Sequence, residues 1–222
     1  MRTRGAWAAA GLLAAIAMGG CAGATAGSQA GRAPTPATGQ SPAAPKPRLG
    51  YTDADVAFMT GMIQHHAQAI LMAGWASSHG ASPAVQRLCD RIVVGQGDEI
   101  ELMARWLRDR GETPPSDSTH HARPGTGHAH AGLMPGMLTP DQLAELDRAR
   151  GAEFDRLFLA YMIQHHRGAL TMVDRLFASP GAGQDETVFR LASDIQADQA
   201  TEIDRMQLML AALPPAPEEA HP

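Results

Sequence analysis

A chain of 222 residues that is 44% hydrophobic can bury the core of one globular domain and still carry appendages. Two cysteines exclude a disulfide scaffold, and a formal charge of −5 gives no basis for nucleic-acid binding. Ten histidines and twelve methionines are a clear excess, and most of them cluster.

Residues 1–20 read as an export signal. Arg2 and Arg4 precede an apolar run, Ala6 to Met18, that is too short to span a membrane. The run closes on Met18-Gly19-Gly20-Cys21, small residues before a cysteine as in bacterial lipoprotein signals. Cys21 is therefore expected to carry lipid and to become the mature N-terminus, anchoring the chain in the cell envelope, in the periplasm or on the outer face of a membrane. Such signals more often have Leu where Met18 stands, and a plain secretory signal is the alternative. Residues 21–50 are mostly Ala, Gly, Pro, Ser and Thr, which cannot bury a core and read as a flexible tether.

The domain is expected over 51–213, with 214–222 as a tail. A first helix starts behind Thr52, an N-cap followed by Asp53 and Asp55, and ends by Gly80. Ser82 caps a second, with Pro83 at its first position, that runs to about Arg110. Residues 111–138 read as a Pro-, Gly- and His-rich loop. Thr139-Pro140-Asp141-Gln142 is a capping box for a short helix to about Arg150, with Gly151 separating it from a long helix that ends near Ser179-Pro180. The last helix spans about Asp185 to Leu213 and stops at Pro214-Pro215. No stretch alternates as a half-buried strand does.

The chain contains one stretch twice. Asp55 to Met72 reads DVAFMTGMIQHHAQAILM, and Asp155 to Met172 reads DRLFLAYMIQHHRGALTM. The repeat continues downstream, where Arg87-Leu88, Ile92, Gln96, Glu99-Ile100 and Met103 match Arg190-Leu191, Ile195, Gln199, Glu202-Ile203 and Met206. The repeated unit is a helical hairpin, over 52–110 and again over 152–213. Two hairpins make an all-α four-helix bundle with pseudo-two-fold symmetry.

At about 100° per residue, His66 lies mid-way across the apolar face of the first helix and His65 at its edge, with Met62 between them one turn earlier. Met62, His65, His66 and Met72 thus form one patch, and Met162, His165, His166 and Met172 form its counterpart. The partner helices carry Gln96, Glu99 and Met103, and Gln199, Glu202 and Met206, inside apolar stripes where an unpaired carboxylate costs several kcal/mol. The facing histidines are the natural partners, in two separate interior clusters, one per hairpin.

Glu and His could be satisfied core hydrogen bonds with the methionines as packing. Duplication of the whole set favours metal, and imidazole with thioether suits copper, Cu(I) above all, with zinc or iron less suited. Glu99 would then act mainly by fixing a histidine tautomer. In the middle loop His120, His121, His128, His130, Met134 and Met137 form a possible secondary tract for soft or borderline metals, unless they are a solvated linker. His79 and His221 stand alone, and Cys89 reads as a small buried thiol.

These motifs resemble the bacterial domain of unknown function 305. Its marks are Met-Ile-x-His-His-x-x-Ala-x-x-Met (Met62–Met72, Met162–Met172), Gln-x-x-Glu-Ile-x-x-Met (Gln96–Met103, Gln199–Met206) and Met-x-Gly-Met (Met134–Met137), over about Thr52 to Leu213. Tyr161 for Gly61 and Gly168 for Gln68 are mild departures that replace no proposed ligand. The resemblance implies a ferritin-like bundle, usually exported and in parts of the family associated with copper, but supplies no reaction.

The favoured reading is an envelope-anchored protein that buffers or delivers copper outside the cytoplasm. Its partners would be a metal ion, the membrane through the lipid anchor only, and a protein of unknown kind. A metalloenzyme that oxidises metal or activates oxygen is a second class, although neither Glu99 nor Glu202 has the His three residues on that di-iron bundles use. A metal-free structural bundle is a third.

Overall fold

The structure, a computed structural model of the chain, describes residues 50–115 and 133–214. The signal, Cys21, the tether, His120, His121, His128, His130 and His221 lie outside the described residues.

Five helices occur, α1 (Asp53–Gly74), α2 (Pro83–Asp109), α3 (Pro140–Arg148), α4 (Gly151–Ala178) and α5 (Glu186–Ala211), and there is no strand among the described residues. Their starts follow from side chains that replace missing backbone partners. Thr52 and Asp55 form a capping box for α1, Thr139 and Gln142 one for α3, and Ser82 and Asp185 cap α2 and α5. Gly151 does not stand outside α4 but opens it, its N–H held at 2.8 Å by the carbonyl of His79. His79 is buried, and its Nε2–H donates to the Asp147 carbonyl at 2.9 Å, so it ties the end of α1 to α3.

α1 packs on α2 and α4 on α5 as hairpins, α1 packs on α4, and α3 rests on α4, a four-helix bundle with one added short helix. The core comes in two parts. One joins Ala69, Met72 and Ala73, after the α1 histidines, to Phe154, Phe158 and Met162, before the α4 histidines. The other joins Phe58, Met59 and Met62 to Ala169, Val173 and Leu176. This pairing makes α1 and α4 antiparallel, crossing at the histidines, with an apolar half-core on each side. Full burial of such side chains contributes about 1.5–3 kcal/mol each. No described helix is long and apolar enough to cross a membrane.

The repeated aspartates tie the hairpins together reciprocally. Asp55 of α1 accepts from Gly183 N at 2.7 Å, just before α5, and Asp155 of α4 accepts from Ser82 N at 3.1 Å, at the cap of α2. Both carboxylates are buried. Asp155→Ala would strand the Ser82 N–H, so it should lower stability by about 1–3 kcal/mol in urea unfolding. A change below about 0.5 kcal/mol, the size of an ordinary surface substitution, would show that the tie contributes nothing.

Candidate metal centre

Each histidine pair sits mid-helix, where consecutive residues diverge by about 100°, so the two rings of a pair face different neighbours. His66 and His166 face the partner helices. His66 Nε2–H donates to Glu99 Oε2 at 2.7 Å, and His166 Nε2–H donates to Glu202 Oε2 at the same distance. His65 and His165 face each other instead, their ring centroids 3.8 Å apart and tilted by 37°. The two clusters expected from the sequence therefore merge into one layer, because the α1–α4 crossing falls at the histidines themselves.

All four histidines are fully buried. Burial first, then the positive charge that His66 would carry, depresses His65 to a pKa of about 3, and His165 is held well below its ordinary value by burial and by His65. Both rings are therefore neutral at physiological pH. His65 Nε2–H donates to the Pro135 carbonyl at 3.0 Å. With Nε2–H committed in His65, His66 and His166, the lone pair of each ring lies on Nδ1. Those three Nδ1 atoms, and both ring nitrogens of His165, are buried without a hydrogen-bond partner.

Met62 and Met162 stand one helical turn before His66 and His166 on the same helices. Met62, Met72, Met103, Met162 and Met206 are fully buried, and Met172 is half-buried. Met134 packs against α1. Its Sδ would lie 3.3 Å from a Cβ at Gly61, and Met172 Cε 3.4 Å, so both methionines converge one turn before His65. Among the described residues no three His, Cys, Asp or Glu side chains stand close enough to cage an ion by themselves. The free nitrogens fit a soft ion only together with sulfur, a donor set suited to Cu(I) and poor for hard cations. Cys89 takes no part, its thiol raised to about 12 by burial and then by Asp90 and Asp155.

The turn Met134–Met137 covers one side of the layer through residues that the sequence reading treated as incidental. Gln68 brackets Leu138, accepting from its N–H at 2.8 Å and donating to its carbonyl at 3.2 Å. Gly168, the counterpart of Gln68, has no side chain because the Pro135 carbonyl oxygen would sit 2.0 Å from a Cβ there. Gly136 has φ +74, and a Cβ on it would meet the Gln164 carbonyl at 2.6 Å. The signal for Gly168 was in the sequence, as a glycine in the middle of a helix where the first copy has Gln68.

The opposite side is more open. A cleft of about 360 Å³ lies between α2 and α5, lined among others by Gln96, Glu99, Asp198, Gln199 and Glu202. Gln96 and Gln199 are only 5% and 3% exposed, and neither amide finds a partner. Asp198 is raised above its usual range by partial burial and by Glu99, Asp194 and Glu202.

A duplicated all-α bundle with a buried layer of neutral histidines, flanked by methionine sulfur and carboxylates, defines the class of protein. The chain belongs to the family described as Domain of unknown function (DUF305), whose profile matches residues 55–210. A DUF305 fragment from Deinococcus radiodurans is 30% identical, with a TM-score of 0.60, over 73% of this chain and 99% of that one. A DUF305 protein of Streptomyces coelicolor, described as secreted, is 26% identical with a TM-score of 0.60, over 71% and 92%. CopM in its Cu(II)-bound form is 27% identical with a TM-score of 0.56, over 71% and 95%, and its Cu(I)-bound form gives 26% and 0.53. The uncharacterised protein L153 of Acanthamoeba polyphaga mimivirus is 34% identical over 56 residues, a match spanning 37% of its length.

Gly168→Ala should displace the Met134–Met137 turn and cost about 1–3 kcal/mol, as overpacking does, whereas helix propensity alone would stabilise by about 1 kcal/mol. The sign of the shift in urea midpoint decides between them. The depressed histidines also fix a pH dependence for the metal-free protein. Between pH 6.5 and about 3 the unfolded chain binds protons that His65 refuses in the fold, so stability is present above the unfolded pKa and is lost as pH falls. The loss should approach about 1.4 kcal/mol per pH unit for each such histidine. Urea midpoints at pH 7.5 and 5.0 measure it, and a flat profile would contradict neutral burial.

Proposed function

We propose that this chain is an exported copper-binding protein that buffers or delivers Cu(I) outside the cytoplasm, held in the envelope by lipid on Cys21. The observation that carries the reading is the set of buried, partnerless Nδ1 lone pairs on rings whose Nε2–H groups are already committed. A carboxylate that holds the far side of an imidazole fixes its tautomer and strengthens it as a ligand. Glu99 and Glu202 are suited to that role toward His66 and His166. His65 and His165, neutral and in ring contact, would add nitrogen, and Met62, Met72, Met103, Met162, Met172 and Met206 would add thioether. The likeness to CopM, solved with Cu(I), Cu(II) and silver, supports copper, and the likeness to a protein described as secreted supports export.

Met134 and Met137 join this centre in the proposal, because Pro135 between them bonds His65. His120, His121, His128 and His130 remain a separate, weaker tract. Competition with a Cu(I) chelator tests both assignments. Glu99→Gln and Glu202→Gln keep the shape of the side chain and should weaken the tightest sites by about 10–100-fold. Replacing His65, His66, His165 and His166 together should abolish those sites, and deleting residues 116–132 should leave them intact. Tight binding that survives the four-histidine replacement in a folded protein would mean that the repeated motif is packing alone.

A further inference from the structure

The four histidines have no exposed surface, so an ion that reaches them needs a path. The α1–α2, α4–α5 and α1–α4 contacts are close-packed, and the far side of the α1–α4 crossing lies under the Met134–Met137 turn. The α2 and α5 helices scarcely touch, and the cleft between them leads to Glu99 and Glu202, the carboxylates bonded to His66 and His166. At about 360 Å³, the cleft can hold an ion with its water shell, since a water occupies about 30 Å³ in the liquid.

We propose that the α2–α5 cleft is a vestibule where a hydrated cation is held by oxygen donors before passing to the buried nitrogen and sulfur. This rests on the copper-binding reading and adds a second, transient site to it. Two independent observations support it. Glu99, Asp198 and Glu202 line the cleft, three carboxylates against the two exposed guanidinium groups of Arg91 and Arg205, an excess of one negative charge. Gln96 and Gln199, more than nine-tenths buried, line the same cleft with both amide atoms unpartnered, an arrangement that is costly unless something polar meets them. The carboxylates are too far apart to cage an ion directly, so the first contact is through water. The amide oxygens, deeper in, then take over part of the shell.

The repeat supplies the control. Asp198 occupies the place that Gly95 holds in the first hairpin, at the spacing that relates Gln96 to Gln199 and Glu99 to Glu202. Gly95 is exposed, lines the cleft, and has nothing within 4 Å of a Cβ, so a side chain there does not disturb packing. Charge at the mouth therefore can be removed on one wall or added on the other. Electrostatic guidance acts on rates and is screened by salt.

The experiment is stopped-flow loading of the metal-free protein with Ag(I), a redox-inert soft cation, in chloride-free buffer, read by tryptophan fluorescence, beside an equilibrium Cu(I) titration of the same variants. Asp198→Asn should slow loading and Gly95→Asp should speed it, each by about threefold at low ionic strength, with both differences fading at high salt. Gly95→Trp, which plugs the cleft without charge, should slow loading at any salt. Equilibrium affinity at high salt, where the changed charges are screened, should be unchanged in all three, since the buried donors are untouched. If the parent binds Cu(I) tightly and the three variants load at the parental rate, the vestibule is overturned and the copper reading stands. Faster loading in Gly168→Ala with no response at Asp198 or Gly95 would move the path to the turn side and overturn it as well. A parent that binds neither ion overturns both.

Discussion

The contact on which the molecule depends is the close, tilted approach of the His65 and His165 rings at the crossing of α1 and α4. Two protonated imidazoles would repel at that distance, and exclusion of water keeps both rings neutral. The half-cores on either side exclude it, with Phe154 and Phe158 at one end and Met59 and Met62 at the other. The polar layer in turn sets the register of the helices, because a slip along α1 or α4 would carry a ring into an apolar half-core or carry an apolar side chain against Glu99 or Glu202. The reciprocal ties from Asp55 and Asp155 hold the hairpin ends so that the crossing stays in that register.

The two halves of the molecule are alike in their His–Glu pairs and differ where the turn and α3 pack on them. Gln68 grips the Met134–Met137 turn and Gly168 makes room for it, so one turn is served by two unlike residues at equivalent places. Gly61 admits Met134 and Met172, whereas its counterpart Tyr161 hydrogen-bonds Glu145 of α3. A single turn and a single short helix cannot obey a two-fold axis, and each departure from the repeat marks a place where one of them is accommodated.

Most of the fold was legible because the caps and the repeat are local signals. Thr52, Ser82, Thr139 and Asp185 announced four helix starts, and the copied hairpin announced the bundle. The pairing of His66 with Glu99 followed from polar residues on facing apolar stripes. What could not be read was which histidine faces its own hairpin and which faces the other. A helical wheel gives an angle but not the neighbour at that angle, so the single merged layer was missed. The roles of Gly168 and Met134 were missed for a related reason, since each depends on a contact made more than thirty residues away along the chain, Gly168 with Pro135 and Met134 with Gly61. The unpartnered state of Gln96 and Gln199 depends on how far α2 stands from α5, which no pattern along the chain encodes.

The depressed basicity of the buried imidazoles has a consequence for competition between metal and acid. An exposed histidine must shed a proton to bind an ion, so its apparent affinity falls once the surroundings drop below about pH 6.5. His65, which takes up a proton only near pH 3, has no proton to lose over that range. In the copper-binding reading, loading it would release no acid, and this ring would keep its grip in mildly acidic surroundings where histidine-rich tracts and free histidine let go. An ion would then favour this ring over such ligands as the pH falls, until the fold itself yields.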